Sequence, residues 1–506
     1  MSIRTFAVFT AVASILLLGC SSSEKKEAKR KPTKLPNIVI IYADDLGFGD
    51  VGSYGSTELQ TPNIDRIAKE GIRFTNGYAS SPTCTPSRYA LLSGTYPFRK
   101  KKAQILPGNA PLLFDLGKQT LPSMLKEAGY TTGVVGKWHL GLGDENMDWN
   151  GKIAPGPLEI GFDYCFVMAS TNDRVPSVYV ENHHVVGLDP NDPIQVSYTE
   201  NFEGEPTGKE NPELLKVHPS HGHDMSVHNG ISRIGFMKGG TSALFIDEQM
   251  NDDFLKKAKE FVGKNREHPF FLFYALHQPH VPRIPHPRFE GSSGLGPRGD
   301  VIVEADWAIG QFLDTLDELD LADETMIVFS SDNGPVLDDG YIDQAVEMNG
   351  KHTPKGGLRG GKYSLFDAGT HVPFMLRWTG TVTPGVSNAL VSQLDFVASF
   401  ASLVNQENKT PDSKNILDAL LGKSPRGREN LILGRNDILS YRNGDWVLIP
   451  PHQGPKVFKF VNIESGRSKE YQLYNIKDDP GQTNNLAKEM PEKLNEIKML
   501  FKKERA

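Results

Sequence analysis

Hydrophobic residues along this chain fall in short unbroken runs, and four of those runs end abruptly in polar residues. NIVIIYA (37–43) leads into Asp44-Asp45-Leu46-Gly47, and TTGVVG (131–136) into Lys137-Trp138-His139. PFFLFYAL (269–276) leads into His277-Gln278-Pro279-His280, and TMIVFSS (325–331) into Asp332-Asn333-Gly334. Continuous apolar runs of this length suit strands buried on both faces, as in a parallel sheet with helical crossovers. Helical patterns lie between them: NIDRIAKEGI (63–72), TLPSMLKEAGY (120–130), FLKKAKEFVGKN (254–265) and VIVEADWAIGQFLDTLDELDL (301–321). The alternation predicts an α/β fold, a large and mostly parallel central sheet sandwiched by helices. Ligands of such sheets collect at the carboxyl ends of the strands, and there the sequence concentrates its Asp, Lys, His and Asn.

The pattern changes after about residue 380. VTPGVSN reads as a loop, QLDFVASFASLV as a helix, and short strands follow. YRNGDWVLIP carries Asn-Gly, a strong hairpin signal, and a terminal helix begins near Pro491. The predicted organisation is a main domain over 37–424 and a smaller α+β subdomain with an antiparallel sheet over 425–506.

The first twenty residues, MSIRTFAVFTAVASILLLGC, read as a targeting segment: a basic start and an apolar stretch too short for a membrane span. Its close on Leu-Leu-Gly-Cys resembles the lipobox of bacterial lipoproteins. That resemblance implies cleavage before Cys20, lipid on its thiol, and an exported protein anchored to the membrane by that lipid alone. Residues 21–36 then form a polar tether. With 506 residues and a net charge of -7, nothing points to a nucleic-acid partner. Three cysteines in all (Cys20, Cys84 and Cys165) exclude a disulfide framework.

Cys165 lies in an apolar run, GFDYCFVM, and reads as core. Cys84 does not: its surroundings are SSPTCTPSRYALLSG. Thr85-Pro86-Ser87-Arg88 predicts a helix start, with Thr85 as cap and Pro86 as first helical residue. Cys84 then sits at a helix amino end, where free N–H groups favour an anion. Arg88 lies four residues on, along the same face.

Cys-Thr-Pro-Ser-Arg, extended by Leu92-Ser93-Gly94, resembles the sulfatase signature Cys-x-Pro-x-Arg. The rest of the chain follows in the family's order. NIVIIYADDLGFGDVGSYG resembles its opening strand and metal loop, and GYTTGVVGKWHLG its Gly-Lys-Trp-His-Leu-Gly block. FFLFYALHQPHVP, IVFSSDNGP, LRGGKYSLFDAGTHVPF and YQLYNIKDDPGQTNNLA resemble later blocks, up to about residue 487. The resemblance is to the formylglycine-dependent, arylsulfatase-like sulfatases of the alkaline phosphatase superfamily.

That resemblance implies a sulfuric ester hydrolase in which a maturation enzyme oxidises Cys84 to formylglycine. A hydrated aldehyde offers one hydroxyl to attack sulfur and a second to expel sulfate afterwards. Asp44, Asp45, Asp332 and Asn333, with the modified Cys84, would hold the metal. Hard oxygen ligands suit Ca²⁺ or Mg²⁺ rather than zinc, and the family usually holds calcium. Arg88 would hold the diol and Lys137 would bridge nucleophile and sulfate. His139 would act as base, projecting to the same side as Lys137 if the segment is extended. His280 and Lys362 would bind sulfate oxygens and protonate the leaving alcohol.

Residues 165–240 interrupt the strand–helix alternation and are rich in polar groups, so they are the candidate pocket lining. Asp173, Arg174, His183 and His221, with Arg359, are the candidate substrate-binding residues, suited to sugar hydroxyls. His218, His221 and His223 are an alternative second metal cluster. The expected substrate is a sulfated carbohydrate of galactose or N-acetylgalactosamine type. Two other functions remain open: a phosphomonoester, phosphodiester or phosphonate hydrolase of the same superfamily, and a non-catalytic lipoprotein that binds sulfated glycans.

Overall fold

The apolar runs form the centre of a ten-stranded sheet. The computed structural model describes residues 35–506; the targeting segment, Cys20 and the tether up to residue 34 lie outside the described residues. In chain order the strands are β1 (Asn37–Ala43), β2 (Ile72–Tyr78), β3 (Thr131–Lys137), β4 (Tyr164–Met168), β5 (Tyr179–Glu181) and β6 (His184–Val185). They continue with β7 (Phe270–Ala275), β8 (Thr325–Ser331), β9 (Phe374–Arg377) and β10 (Gly385–Ser392). The spatial order is β10-β2-β9-β8-β1-β7-β3-β4-β5-β6. The five central strands, β8, β1, β7, β3 and β4, run parallel, and antiparallel pairs flank them on both sides. Every residue of β1, β7 and β8 is buried. That explains why these strands carry no polar alternation in the sequence.

Helices cover the sheet. Helices α1 (Pro62–Glu70), α4 (Met250–Asn265) and α5 (Gly296–Glu318) share one apolar cluster with Val39, Ile41 and Phe329. Tyr42 belongs to the alternate set of β1 side chains. Its ring lies 5.3 Å from the guanidinium of Arg88 on α2 (Cys84–Ser93), and α2 packs with α3 (Leu121–Glu127) and α6 (Phe396–Leu403).

A second sheet, β11 (Asn430–Arg435), β12 (Ile438–Asn443), β13 (Trp446–Ile449) and β14 (Gln472–Asn475), is fully antiparallel. The short helix α7 (Leu417–Leu420) precedes it, and α8 (Pro491–Arg505) packs on it through Ile497 and Phe501. The hairpin expected at Asn-Gly forms, with Gly444 and Asp445 as its two turn residues; Gly444 takes the positive φ of 55° that such a turn requires. Residues 36–506 form one compact unit.

Three expectations change. VTPGVSN is not a loop: from Gly385 it enters β10, which pairs parallel with β2 at the sheet edge, where a proline just before the strand is tolerated. α5 starts at Gly296, a turn earlier than the apolar pattern, with Pro297 in its first turn. α2 starts at Cys84 with Thr83 as its cap position, so Thr85 is inside the helix. Pro86 is then the third helical residue, where its missing N–H would have had no partner in any case.

Candidate active site

The carboxyl ends of β1, β8, β3 and β7 deliver their polar residues to one place, beside the amino end of α2. Asp44 and Asp45 follow β1, with Asp45 at φ 65°, and Asp332 and Asn333 follow β8. All four are at most 1% exposed. Asp45 N–H donates to Asp332 Oδ1 at 3.2 Å, and Asn333 Nδ2 donates to Asp45 Oδ1 at 2.7 Å.

Three cations surround these carboxylates. Arg88 Nε donates to Asp332 Oδ2 at 2.9 Å, and its Nη1 to Lys137 O at 3.1 Å. Lys137 Nζ donates to Asp44 Oδ2 at 2.5 Å. Lys362 Nζ donates to Asp45 Oδ2 at 2.8 Å and to Asp339 Oδ2 at 2.7 Å. The Gly before Lys137 is a steric necessity: a Cβ on Gly136, at φ 112°, would lie 1.8 Å from Ala275 O on the neighbouring strand.

Cys84 faces the same centre. Its Sγ lies 3.3 Å from His139 Nδ1. The other ring nitrogen, Nε2, lies 3.0 Å from Leu106 O. A carbonyl only accepts, so Nε2 carries the proton and the Nδ1 lone pair is directed at position 84. Thr85 Oγ1 donates to His139 O at 2.9 Å, and His139 adopts φ 55°. The segment is therefore not extended as expected: β3 ends at Lys137, and His139 reaches Cys84 through a left-handed backbone turn. His280 follows the same logic. Its Nδ1 donates to Val281 O at 2.6 Å, leaving Nε2 toward Asp45 Oδ2 at 3.9 Å.

Burial sets the charge states here. It raises the pKa of Asp44 well above the ordinary carboxylate range, with Asp332 adding to the rise and Lys137 opposing it. Burial also raises Asp45, against the pull of Lys362. At Asp332 burial is outweighed by Arg88 and Lys137, and the carboxyl is held below its usual value. Burial, helped by nearby lysines, holds His139 and His280 well below the ordinary imidazole value. It pushes the Cys84 thiol up, with Lys137 and Lys362 pulling the other way.

The donor set fits a hard divalent cation. Asp44 Oδ1 and Asn333 Oδ1 are buried without any hydrogen-bond partner, which is costly unless something else binds them. Asp44, Asp45 and His280 each place one ligand atom within 4.8 Å of the others. Oxygen donors dominate, as Ca²⁺ and Mg²⁺ prefer. Among the described residues this is the one such cluster found. His221 and His223 do not join a second one: His221 stacks on Phe460, and His223 Nε2 bonds to Asp173 Oδ2 at 3.0 Å.

The candidate substrate-binding residues divide. Asp173 and Arg174 pair with each other at 2.8 Å, and the electrostatic influence of Arg174 extends to Cys84 and His139. His221 lines a cleft next to Thr83. His183 is brought to the other end of the sheet, because β5 runs antiparallel to β4, and it pairs with Glu159 at 2.9 Å. Arg359 turns away to Glu464 at 2.7 Å and Gln482 O at 2.6 Å, clamping the C-terminal segment instead. Two contributors carry no local sequence signal: Leu106 O and the segment 455–467 that walls the cleft. Only the folded chain brings them near Cys84.

Residues 36–406 match the sulfatase family model. The chain is 50% identical over 491 residues to N-acetylgalactosamine-6-O-sulfatase of Bacteroides thetaiotaomicron, covering 96% of both chains. It is 32% identical over 397 residues to human arylsulfatase A, covering 77% of this chain and 69% of that one. A solved structure from work on the metabolism of multiple glycosaminoglycans by B. thetaiotaomicron aligns with TM-score 0.92 at 50% identity, over 93% of this chain and 99% of that one. The chain belongs to the sulfatase family and is a sulfuric ester hydrolase. The fold alone reaches further: a phosphonate monoester hydrolase of Agrobacterium radiobacter aligns with TM-score 0.56 at 15% identity, over 93% of this chain and 95% of that one.

Proposed function

We propose that this enzyme removes the 6-sulfate from N-acetylgalactosamine-type saccharides, using formylglycine made from Cys84 and a calcium ion held by Asp44, Asp45, Asp332 and Asn333. The observation that carries the catalytic part is the meeting of Cys84 and His139 inside a ring of three cations. The sugar part draws on the relative that shares half its residues with this chain.

Calcium, once bound, supplies positive charge that binds sulfate oxygens and acidifies the attacking hydroxyl. A hydrated aldehyde at position 84 supplies two hydroxyls, one to attack sulfur and one to lose its proton as sulfate departs. His139 Nδ1 is placed to take that proton, because its other nitrogen is already committed to Leu106 O. Lys137 and Lys362 bring ammonium groups to the sulfate oxygens. Arg88 holds Asp332 in place and cannot itself titrate. The Lys362 ammonium, kept protonated by Asp339 and Asp45, would hand a proton to the departing sugar oxygen. His280, whose one proton stays on Nδ1 toward Val281 O, would accept a hydrogen bond from the substrate through Nε2.

Cys84 is 2% exposed, so a maturation enzyme must reach it before the chain closes. Lipid on Cys20 would then hold the exported enzyme at a membrane; no helix of the described residues is long and apolar enough to cross one.

A sulfate-release screen over N-acetylgalactosamine and galactose, each sulfated at a single known position, tests the substrate. N-acetylgalactosamine 6-sulfate should give the highest kcat/KM. Preference for the 4-sulfate, or no release from any of these sugars, overturns the substrate reading.

A further inference from the structure

A cleft of about 590 Å³ opens beside Cys84. One wall is Pro82 and Thr83, the two residues before Cys84, together with Asp339 and Tyr363 beside Lys362. The facing wall comes from the C-terminal part of the chain: Arg435 at the end of β11, the segment 455–461, and Arg467. A saccharide whose sulfate sits at Cys84 has this cleft as its way out.

The catalytic cations already have carboxylate partners: Arg88 has Asp332, Lys137 has Asp44, and Lys362 has Asp45 and Asp339. Arg435 differs. Among the described residues its guanidinium has no ion pair and no hydrogen bond, although it is half-buried. Burial holds its pKa below the ordinary arginine value, and the groups that act on it are Cys84, Tyr363 and Arg467. Two more cations stand on the same wall without a carboxylate. Arg467 packs 5.3 Å from the ring centre of Phe458 and reaches Gln453 O at 3.4 Å; Lys459 is exposed. A partly desolvated cation without a counter-ion is costly, and the cost is relieved when an anion enters. Phe460, 73% exposed and stacked 5.0 Å from His221, adds a flat aromatic face at the mouth, suited to a sugar ring.

We propose that Arg435, flanked by Arg467 and Lys459, is a second anion-binding subsite that takes a carboxylate or a further sulfate on the substrate saccharide. This deepens the substrate reading above and rests on it. The preferred substrate is then doubly anionic: one sulfate is cleaved at Cys84 and a second acidic group is held across the cleft.

The test compares wild type, Arg435→Ala and Arg435→Lys on three substrates. These are N-acetylgalactosamine 6-sulfate, the same sugar with a second sulfate, and a disaccharide carrying the 6-sulfate beside a uronate. Arg435→Ala should lose about tenfold more kcat/KM on a doubly anionic substrate than on the singly sulfated sugar, mainly through KM. Arg435→Lys should recover most of that loss, and added salt should shrink the difference. A response confined to the uronate substrate identifies a neighbouring carboxylate; one confined to the disulfated sugar identifies a second sulfate. Equal losses on all three substrates, or none, overturn the subsite. If wild type cleaves an aryl sulfate but none of the three, the substrate reading fails. The subsite is then judged by inhibition of aryl sulfate hydrolysis by the uronate disaccharide. Weaker inhibition of Arg435→Ala supports it, and equal inhibition overturns it.

Discussion

Cys84 Sγ lies 3.3 Å from His139 Nδ1, although the two residues are 55 positions apart in the chain. The contact is held from both ends: Leu106 O takes the far ring nitrogen, and Thr85 takes the His139 carbonyl. His139→Ala should therefore lower kcat by about 10²–10⁴, the usual range for losing a placed base, while ligand binding survives. Sulfate release and calorimetric titration measure the two separately. Near-normal kcat in this variant would remove His139 from the chemistry.

Thr85 touches no reacting atom, yet its hydroxyl fixes the left-handed turn that aims His139. Thr85→Val should lower kcat by about tenfold with little change in KM, and Thr85→Ser should restore it. An unchanged kcat with a lowered Tm would mean that the hydroxyl serves folding alone.

Three carboxylates and two partnerless oxygens are buried together at the ends of β1 and β8. Chelation should abolish sulfate release and lower Tm. At calcium a hundredfold above its Kd, binding contributes about 3 kcal/mol of stability. Added calcium should restore both. An unshifted Tm with full activity after exhaustive chelation would contradict the metal assignment.

Glu304 on α5 gives a pH signature in stability. Burial raises its carboxyl to about 8, above the value near 4.3 expected in an unfolded chain. The folded state thus binds the extra proton between these two values. The contribution to stability is full below the lower value and is lost as pH rises through the higher one. Glu304→Gln cannot ionise, so it should be more stable than wild type at about pH 9, by about 5 kcal/mol, and equal to it at about pH 4. Melting curves at the two pH values decide. A variant that gains nothing at alkaline pH would show that Glu304 ionises freely in the fold.

The family shares its fold with a phosphonate monoester hydrolase, so the choice of substrate anion rests on the site. Aryl sulfate should be turned over far faster than aryl phosphate. Preference for phosphate would reverse the assignment.

Much of this site is legible in the sequence because each strand of the parallel core delivers its polar residues immediately at its carboxyl end. Asp44-Asp45, Lys137, His280 and Asp332-Asn333 can each be located by where an apolar run stops. What lies outside that rule is less legible. VTPGVSN enters the edge strand β10 although its Pro and Gly read as a loop, because an edge strand needs only one paired side. His183 looks like its polar neighbours in sequence, but the reversal of β5 carries it to the far end of the sheet. Arg359 adjoins the Gly-Gly-Lys motif and is nonetheless captured by Glu464. Arg435 and Arg467 reach the cleft only through packing of the antiparallel subdomain, which no spacing in the chain reveals.

Peptide mass analysis of position 84, run on the same preparations whose sulfate release is assayed, puts the chemistry to its most direct test. The peptide should be about 18 Da lighter where thiol has become aldehyde, and turnover should rise in proportion to that converted fraction and vanish without it. Undiminished hydrolysis by protein whose Cys84 thiol is intact would contradict a formylglycine nucleophile outright.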